Sequence, residues 1–158
     1  MKNISSFEID HTKLLSGLYV SRKDKVGREV ITTFDLRVCR PNFEPVMKTC
    51  ELHAIEHLAA TYMRNDAAYS SRVLYFGPMG CSTGFYLIMA GDLTPADILG
   101  FVEDCFRFIS AYEGDIPGAT EKCCGNYTDM DLNLAKSRAS AYLDVLENAT
   151  ADQFVYPE

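Results

Sequence analysis

The sequence has fewer positive than negative charges, no long apolar run and an N-terminus that does not resemble an export signal. It contains 15 Lys and Arg against 22 Asp and Glu, which gives a net charge of −7. Binding to a phosphate backbone depends on clustered Lys and Arg, so we expect no nucleic-acid partner. No stretch approaches the roughly 20 apolar residues of a membrane helix, and the N-terminus, MKNISSFEIDH, is too polar for a signal peptide. We therefore expect no membrane association.

The polar N-terminus also decides how the six cysteines are interpreted. Six cysteines could form three disulfides, but a disulfide-stabilised secreted domain would be shorter and would carry an export signal. We predict free thiols in a cytoplasmic protein. For the same reason, the sequons at Asn126 and Asn148 are predicted to stay unglycosylated.

Repeats, linkers and low-complexity segments are also missing from these 158 residues, of which 47% are hydrophobic. One domain over residues 1–158 is therefore predicted, large enough to bury a core. Residues 21–28 are predicted to form a charged turn, and residues 115–130 a loop. Alternation and apolar periodicity predict strands at residues 29–38, 72–76 and 84–90, and helices at about 45–65, 94–114 and 131–148.

The order strand, helix, two strands, two helices indicates an α+β fold, a single small domain in which helices cover one face of an antiparallel sheet. The second helix has the clearest start signal, with a capping hydroxyl at Thr94, Pro95 at its first position and Asp97 three residues after the cap. Cys105 lies in its apolar stripe and is predicted to be a core residue.

The segment His53-Ala54-Ile55-Glu56-His57 carries the strongest chemical signal. Histidines four residues apart lie on one face of a helix, where both rings can reach one metal ion. The order H-x-x-E-H is the inverted form of a zinc-protease signature, in which the histidines ligate and the glutamate moves protons. The alternative is a hydrogen-bonded histidine pair at the edge of the core.

The rest of that helix is apolar, which predicts that it is largely buried and that its histidines need partners. The exception is a polar arc of Lys48, Glu51 and Thr61. A metal would be such a partner, but two histidines leave a catalytic site one ligand short. Candidates for the third ligand are Cys39, Cys81, Cys123, Cys124 and several carboxylates.

Two of these cysteines have distinctive neighbours. Cys124 is attractive as a ligand because Gly125 would let the loop backbone approach a metal closely. Cys81 lies in a glycine-rich bend and could instead be a nucleophile or an acid/base, since a thiol near a metal has a lowered pKa. The residues alone do not rank these candidates.

Over nearly its whole length the chain resembles the LuxS family of S-ribosylhomocysteine lyases, which make the precursor of the quorum-sensing molecule autoinducer-2. The matching motifs are residues 5–11 (SSFEIDH), 34–42 (FDLRVCRPN), 53–57 (HAIEH), 78–86 (PMGCSTGFY) and 124–127 (CGNY). The resemblance implies a small α+β domain that cleaves S-ribosylhomocysteine to homocysteine and 4,5-dihydroxy-2,3-pentanedione. The reaction would proceed by carbonyl migration and β-elimination of the thioether.

The resemblance also assigns roles to residues. It implies His53, His57 and Cys124 as ligands of one ferrous ion per subunit, which zinc or cobalt can replace. Glu56 and Cys81 would be the general acid/base pair, with no covalent bond to Cys81. Arg37 would hold the substrate. In a homodimer, the residues reaching into the neighbouring subunit's site would be Ser6, Phe7 and His11.

Two positions depart from the family pattern. Ser82 stands where arginine is common, and Tyr75 lies in a stretch where many members carry an acidic residue.

Two other classes of protein remain as alternatives. A metallohydrolase would use a carboxylate as third ligand, and a non-catalytic metal or redox-sensing module would close the site with a fourth ligand, for which Cys81 is the candidate.

Overall fold

The computed structural model describes residues 8–157, so the predicted contact residues Ser6 and Phe7 lie outside the described part of the chain. Within that part, strands and helices follow the order ββαββαα. The strands are β1 (Gly17–Val26), β2 (Glu29–Arg37), β3 (Val73–Pro78) and β4 (Gly84–Ala90); the helices are α1 (Thr49–Asn65), α2 (Pro95–Ala111) and α3 (Leu132–Glu147). A short 3-10 helix, Ala151–Gln153, follows α3.

The four strands form one antiparallel sheet in the order β1-β2-β4-β3. The end of β2 lies beside the start of β4, where Arg37 pairs with Gly84. A side chain at Gly84 would clash with the carbonyl oxygen of Leu36, so glycine allows this close approach. The register places the turn between β3 and β4, which contains Cys81, next to the last residue of β2.

The two faces of the sheet differ in chemistry. Phe34, Leu36 and Leu87 belong to a buried cluster that also contains the apolar residues of all three helices. Because side chains alternate along a strand, Asp35 and Arg37 face the other side. The prediction of an α+β domain with helices against one face of an antiparallel sheet is therefore confirmed.

The first strand corrects the prediction of a charged turn at residues 21–28. Residues up to Val26 continue β1, and the chain reverses at Gly27, whose φ is +63°, before Val26 pairs with Glu29. Residues 22–25 read as a turn because they are charged, but β1 is an edge strand, where charged side chains are common. Its register shifts between Val20 and Arg22, which makes Ser21 a β-bulge.

Helix α1 begins at Thr49, four residues later than predicted, because the backbone N–H of Lys48 donates to the Glu51 carboxylate and caps the helix there. Glu51 belongs to the polar arc of this helix but is only 5% exposed. Its carboxylate also accepts from Arg138 on α3, at 3.3 Å. A buried charge that is paired and hydrogen-bonded can lie on an otherwise apolar helix face.

Other predicted boundaries are close. β3 extends to Pro78, which an edge strand tolerates, and the backbone N–H of Thr94 donates to Asp97 as the capping signal predicts.

Cys105 is fully buried in α2, as predicted. All six cysteines are free thiols. In the part of the chain that the structure describes, no helix combines the length and apolarity needed to cross a membrane.

Candidate active site

His53 and His57 lie one turn apart on α1, with their ring centroids 4.9 Å apart and the rings nearly perpendicular. Cys124 reaches them from the loop between α2 and α3, and its Sγ lies 3.3 Å from Nε2 of His53. One ligand atom from each of the three residues lies within 4.8 Å of the others. The structure thus brings together three side chains that are distant in sequence.

Each histidine is oriented by a backbone carbonyl. Nδ1 of His53 lies 3.1 Å from the carbonyl oxygen of Asp129, and Nδ1 of His57 lies 2.7 Å from that of Pro117. A carbonyl only accepts, so both Nδ1 atoms carry the proton in the neutral rings. Both Nε2 lone pairs are then free for a metal, an arrangement common among metal-binding histidines.

The loop can approach His57 because of Gly118. Its φ is +72°, and a side-chain Cβ there would lie 3.3 Å from Nδ1 of His57. At Gly125, where the sequence suggested a close approach, a Cβ would meet no described atom within 4 Å and no positive φ is found. Gly118 is therefore the position in this loop that requires glycine, and it follows Pro117, whose carbonyl oxygen orients the His57 ring.

The cluster fits a metal ion. Bonds of about 2.0–2.3 Å from a tetrahedral ion to nitrogen and sulfur place neighbouring ligands about 3.5 Å apart. Sγ of Cys124 and Nε2 of His53 are 3.3 Å apart, and all three ligand atoms lie within 4.8 Å of one another. Two imidazoles and a thiolate suit several divalent ions. Of the other candidate ligands, Cys39 is buried against Arg138 and Cys123 is exposed. Neither joins the described cluster.

Glu56 lies on α1 immediately before His57 and is half-buried. No hydrogen bond or ion pair to its carboxylate is found among residues 8–157. A carboxylate without a protein partner is available to exchange protons with a bound molecule.

Cys81 lies in the turn between β3 and β4, where two side chains face its sulfur. The Thr83 hydroxyl is 3.1 Å from Sγ, and Nη1 of Arg37 is 3.7 Å from it. Partial burial raises the pKa of Cys81, but the hydrogen bonds from the Thr83 side chain and backbone and the Arg37 charge outweigh burial, so the pKa lies below its ordinary value. Ser82 adopts a left-handed conformation with φ of 60° and turns the chain there.

Arg37 is itself held by a buried ion pair. Its Nη2 donates to Asp35 at 2.6 Å, its Nη1 donates to the Thr83 hydroxyl at 2.6 Å, and both charged side chains are at most 3% exposed. Asp35 Oδ1 and Arg37 Nε have no hydrogen-bond partner among the described residues. This leaves one acceptor and one donor unpaired beside Cys81.

Two cavities meet at Cys81. One of about 690 Å³ runs along residues 41–46, and one of about 210 Å³ is lined by Asp35, Arg37 and Tyr156. Cys81 and His11 line both. Neither is lined by a member of the histidine and cysteine cluster. Within the described part of the chain, the residues predicted for catalysis thus form two separate groups.

Sequence reasoning assigned no role to three residues near Cys81: Asp35, Thr83 and Tyr156. Asp35 and Thr83 lie inside the motifs quoted above. Asp35 is two residues before Arg37, so alternation along β2 places both side chains on one face. Thr83 is two residues after Cys81 in a short turn, which keeps the two side chains close. Tyr156 follows the last predicted helix in a segment without a motif. Only the fold places it against Asp35.

The fold and the cluster define a small α+β protein with a candidate metal centre, and comparison with known proteins places it in a family. The family model described as S-ribosylhomocysteinase (LuxS) matches residues 4–153. An S-ribosylhomocysteine lyase of Finegoldia magna is 55% identical over 158 residues and is matched over 100% of both chains.

Two relatives of the same name support this match. The one from Clostridium beijerinckii is 55% identical, with 99% of each chain covered. The one from Borreliella burgdorferi is 46% identical, with 99% of this chain and 100% of the relative covered. The chain belongs to the LuxS family, and it is therefore an enzyme.

Proposed function

We propose that the chain is a metal-dependent S-ribosylhomocysteine lyase that releases homocysteine and 4,5-dihydroxy-2,3-pentanedione, with one catalytic domain over residues 1–158. The observation that carries the proposal is the cluster of His53, His57 and Cys124 in a chain that belongs to this family. The names of the full-length relatives support the substrate. The product would be the autoinducer-2 precursor used in quorum sensing, made in the cytoplasm as part of the methyl cycle.

The three clustered side chains would hold one divalent ion, ferrous iron in the native enzyme, with zinc or cobalt able to replace it. A divalent ion bound there supplies Lewis acidity towards the carbonyl and hydroxyl oxygens of the sugar. The structure supports the assignment through the free Nε2 atoms and the nearby thiol of Cys124.

Cys81 and Glu56 would move the protons. As a thiolate, Cys81 would take a proton from a carbon next to the carbonyl and return it to the neighbouring carbon, which shifts the carbonyl along the sugar. Elimination then removes a second such proton, breaks the carbon–sulfur bond and leaves the sulfur to be protonated as homocysteine. Glu56, next to His57, would serve these later transfers, and Arg37 would hold the substrate beside Cys81.

A homodimer with sites at the subunit interface would bring the two groups together. In one subunit, the cavities at Cys81 are lined by His11 but by no member of the metal cluster. A second copy could supply the missing half, with Ser6, Phe7 and His11 entering the partner's site. Light scattering after size-exclusion chromatography is expected to give twice the mass of the chain, and a monomer mass for active protein would contradict this arrangement.

The test of the reaction is homocysteine release from S-ribosylhomocysteine by protein purified without oxygen, followed with a thiol reagent. Cys81→Ala is the blank that accounts for the protein's own thiols. Wild type is expected to release homocysteine only when loaded with metal, and Cys81→Ala to keep its metal without releasing product. Folded, metal-loaded wild type without release would refute the proposed reaction.

The two alternative classes fit the site less well. A metallohydrolase with a carboxylate third ligand is disfavoured because the third member of the cluster is the cysteine thiol of Cys124. A closed structural site would need a fourth ligand, and Cys81 hydrogen-bonds with Thr83 and Arg37 instead.

A further inference from the structure

Tyr156 lies on the sheet face opposite the helices, close to the charged pair beside Cys81. Its ring stacks on Tyr19 of β1, with centroids 4.9 Å apart and planes 14° from parallel. Its hydroxyl donates to Oδ2 of Asp35 at 2.8 Å. The side chain of Tyr156 therefore reaches β2, a central strand of the sheet, although Val155 before it is exposed.

The same oxygen of Asp35 also accepts a hydrogen bond from Arg37. Nη2 of Arg37 donates to Oδ2 at 2.6 Å, while Nη1 faces the Thr83 hydroxyl at 2.6 Å and Cys81 Sγ at 3.7 Å. A continuous series of polar contacts thus joins Tyr156 to Cys81 through Asp35 and Arg37. All four residues line the cavity of about 210 Å³.

We propose that Tyr156 is a positioning residue for Cys81, acting through Asp35 and Arg37 to favour the thiolate that the proposed lyase reaction uses. Its effect on turnover depends on the proposed function. Its effect on Cys81 ionisation does not, because it concerns only the described contacts of one chain.

The physical reason is competition for the Asp35 carboxylate. A carboxylate that accepts a second hydrogen bond has part of its charge compensated by that donor, so it cancels less of the positive potential of its arginine. More of the Arg37 charge then acts on the sulfur. Burial and the Asp35 charge raise the pKa of Tyr156, so its hydroxyl stays protonated and remains a donor at neutral pH.

The C-terminal segment is held by contacts that do not involve this hydroxyl. Nε2 of Gln153 donates to the carbonyl oxygen of Ser16 at 2.9 Å, and the carbonyl oxygen of Gln153 lies so close to Gly17 that any side chain there would clash. Tyr156→Phe also keeps the ring that stacks on Tyr19. This variant should therefore fold with the segment in place and lose only the hydroxyl's hydrogen bonds, the one to Asp35 and the one with Ser21.

The experiment measures the pH dependence of iodoacetamide alkylation at Cys81, resolved from the other thiols by peptide mass spectrometry. Tyr156→Phe is expected to raise the alkylation midpoint by about 0.5 pH unit, which slows alkylation near neutral pH about threefold. The matched control is Tyr69→Phe, which removes a hydroxyl bonded to the carbonyl oxygen of Asp97 at the start of α2. The control is expected to match wild type.

A second variant tests the direction of the effect. Asp35→Asn removes the charge that opposes Arg37, so the alkylation midpoint should fall below that of wild type. Other titratable side chains lining the cavities at Cys81 are His11, Glu44 and Tyr86, and none is changed in these variants. A rise in the midpoint of folded Asp35→Asn would contradict the electrostatic route.

Turnover provides the last readout. In Tyr156→Phe, kcat at neutral pH should fall about threefold, KM should change less than about twofold, and the loss should disappear at higher pH where the thiol is ionised. An alkylation profile and kcat equal to those of Tyr69→Phe would overturn the proposal. Failure of the lyase assignment itself would appear differently, as absence of homocysteine release by wild type with the alkylation shift still present.

Discussion

Nη1 of Arg37 points at Sγ of Cys81 from 3.7 Å while the other end of the guanidinium is bound to Asp35. The arginine is 3% exposed whereas Cys81 is exposed, so a buried, fixed charge faces a sulfur that solvent can reach. β2 and the turn before β4 supply the two residues, and the close pairing of Arg37 with Gly84 fixes their approach.

Thr83 is expected to be as important to Cys81 as this arginine. Its oxygen accepts from Arg37, which leaves its own hydrogen to donate to the sulfur. Thr83→Val keeps the shape and removes both bonds, so the pKa of Cys81 should rise and kcat near neutral pH should fall about tenfold. Thr33→Val, at a buried threonine of β2, is the control, and equal kcat values in the two variants would contradict this role.

The proposed role of Cys81 predicts how the activity depends on pH. The thiol pKa lies below its ordinary value because hydrogen bonds from Thr83 and the Arg37 charge outweigh burial. If the thiolate is the working base, kcat/KM should fall as pH drops through that pKa, with the acid limb below the range of a free cysteine. In Thr83→Val the acid limb should move to higher pH, and an acid limb that does not move would show that another group titrates there.

The adjacent cysteines offer a matched test of the proposed metal ligands. Cys124→Ala removes the sulfur that lies 3.3 Å from His53 and should abolish stoichiometric metal binding. Cys123→Ala changes an exposed thiol and should keep one metal per chain. Metal content by atomic emission, with melting temperature as a folding control, separates them. Full metal retention in Cys124→Ala would point to a carboxylate ligand.

Prediction from sequence succeeded where a pattern is local. The helical spacing of His53 and His57 predicts their shared face, and the apolar stripe containing Cys105 predicts its burial, which is confirmed. The motifs also named Cys124, and the structure brings it to the two histidines, although its role as a ligand remains a prediction.

Prediction failed where contacts are long-range. Glu51 reads as a solvent-facing charge, but its partner Arg138 is 87 residues away, so no local pattern reveals the buried pair. The charged residues of β1 do not indicate a strand, and the pairing of β1 with β2 is visible only in the folded sheet. Tyr156 reaches Asp35 across 121 residues, and nothing in its own segment indicates that contact.

Gly118 gives the sharpest test of how the loop shapes the proposed metal centre. Alanine there would need a φ of +72°, which costs about 1 kcal/mol, and its Cβ would press on the ring of His57. Gly118→Ala should therefore weaken metal affinity at least about tenfold, because the ring moves from the carbonyl of Pro117 that orients it. Gly125→Ala is the control in the same loop, since its Cβ would meet no described atom within 4 Å. Competition with a chromogenic chelator measures both affinities, and a larger loss in Gly125→Ala than in Gly118→Ala would show that the loop approaches the metal at Gly125 instead.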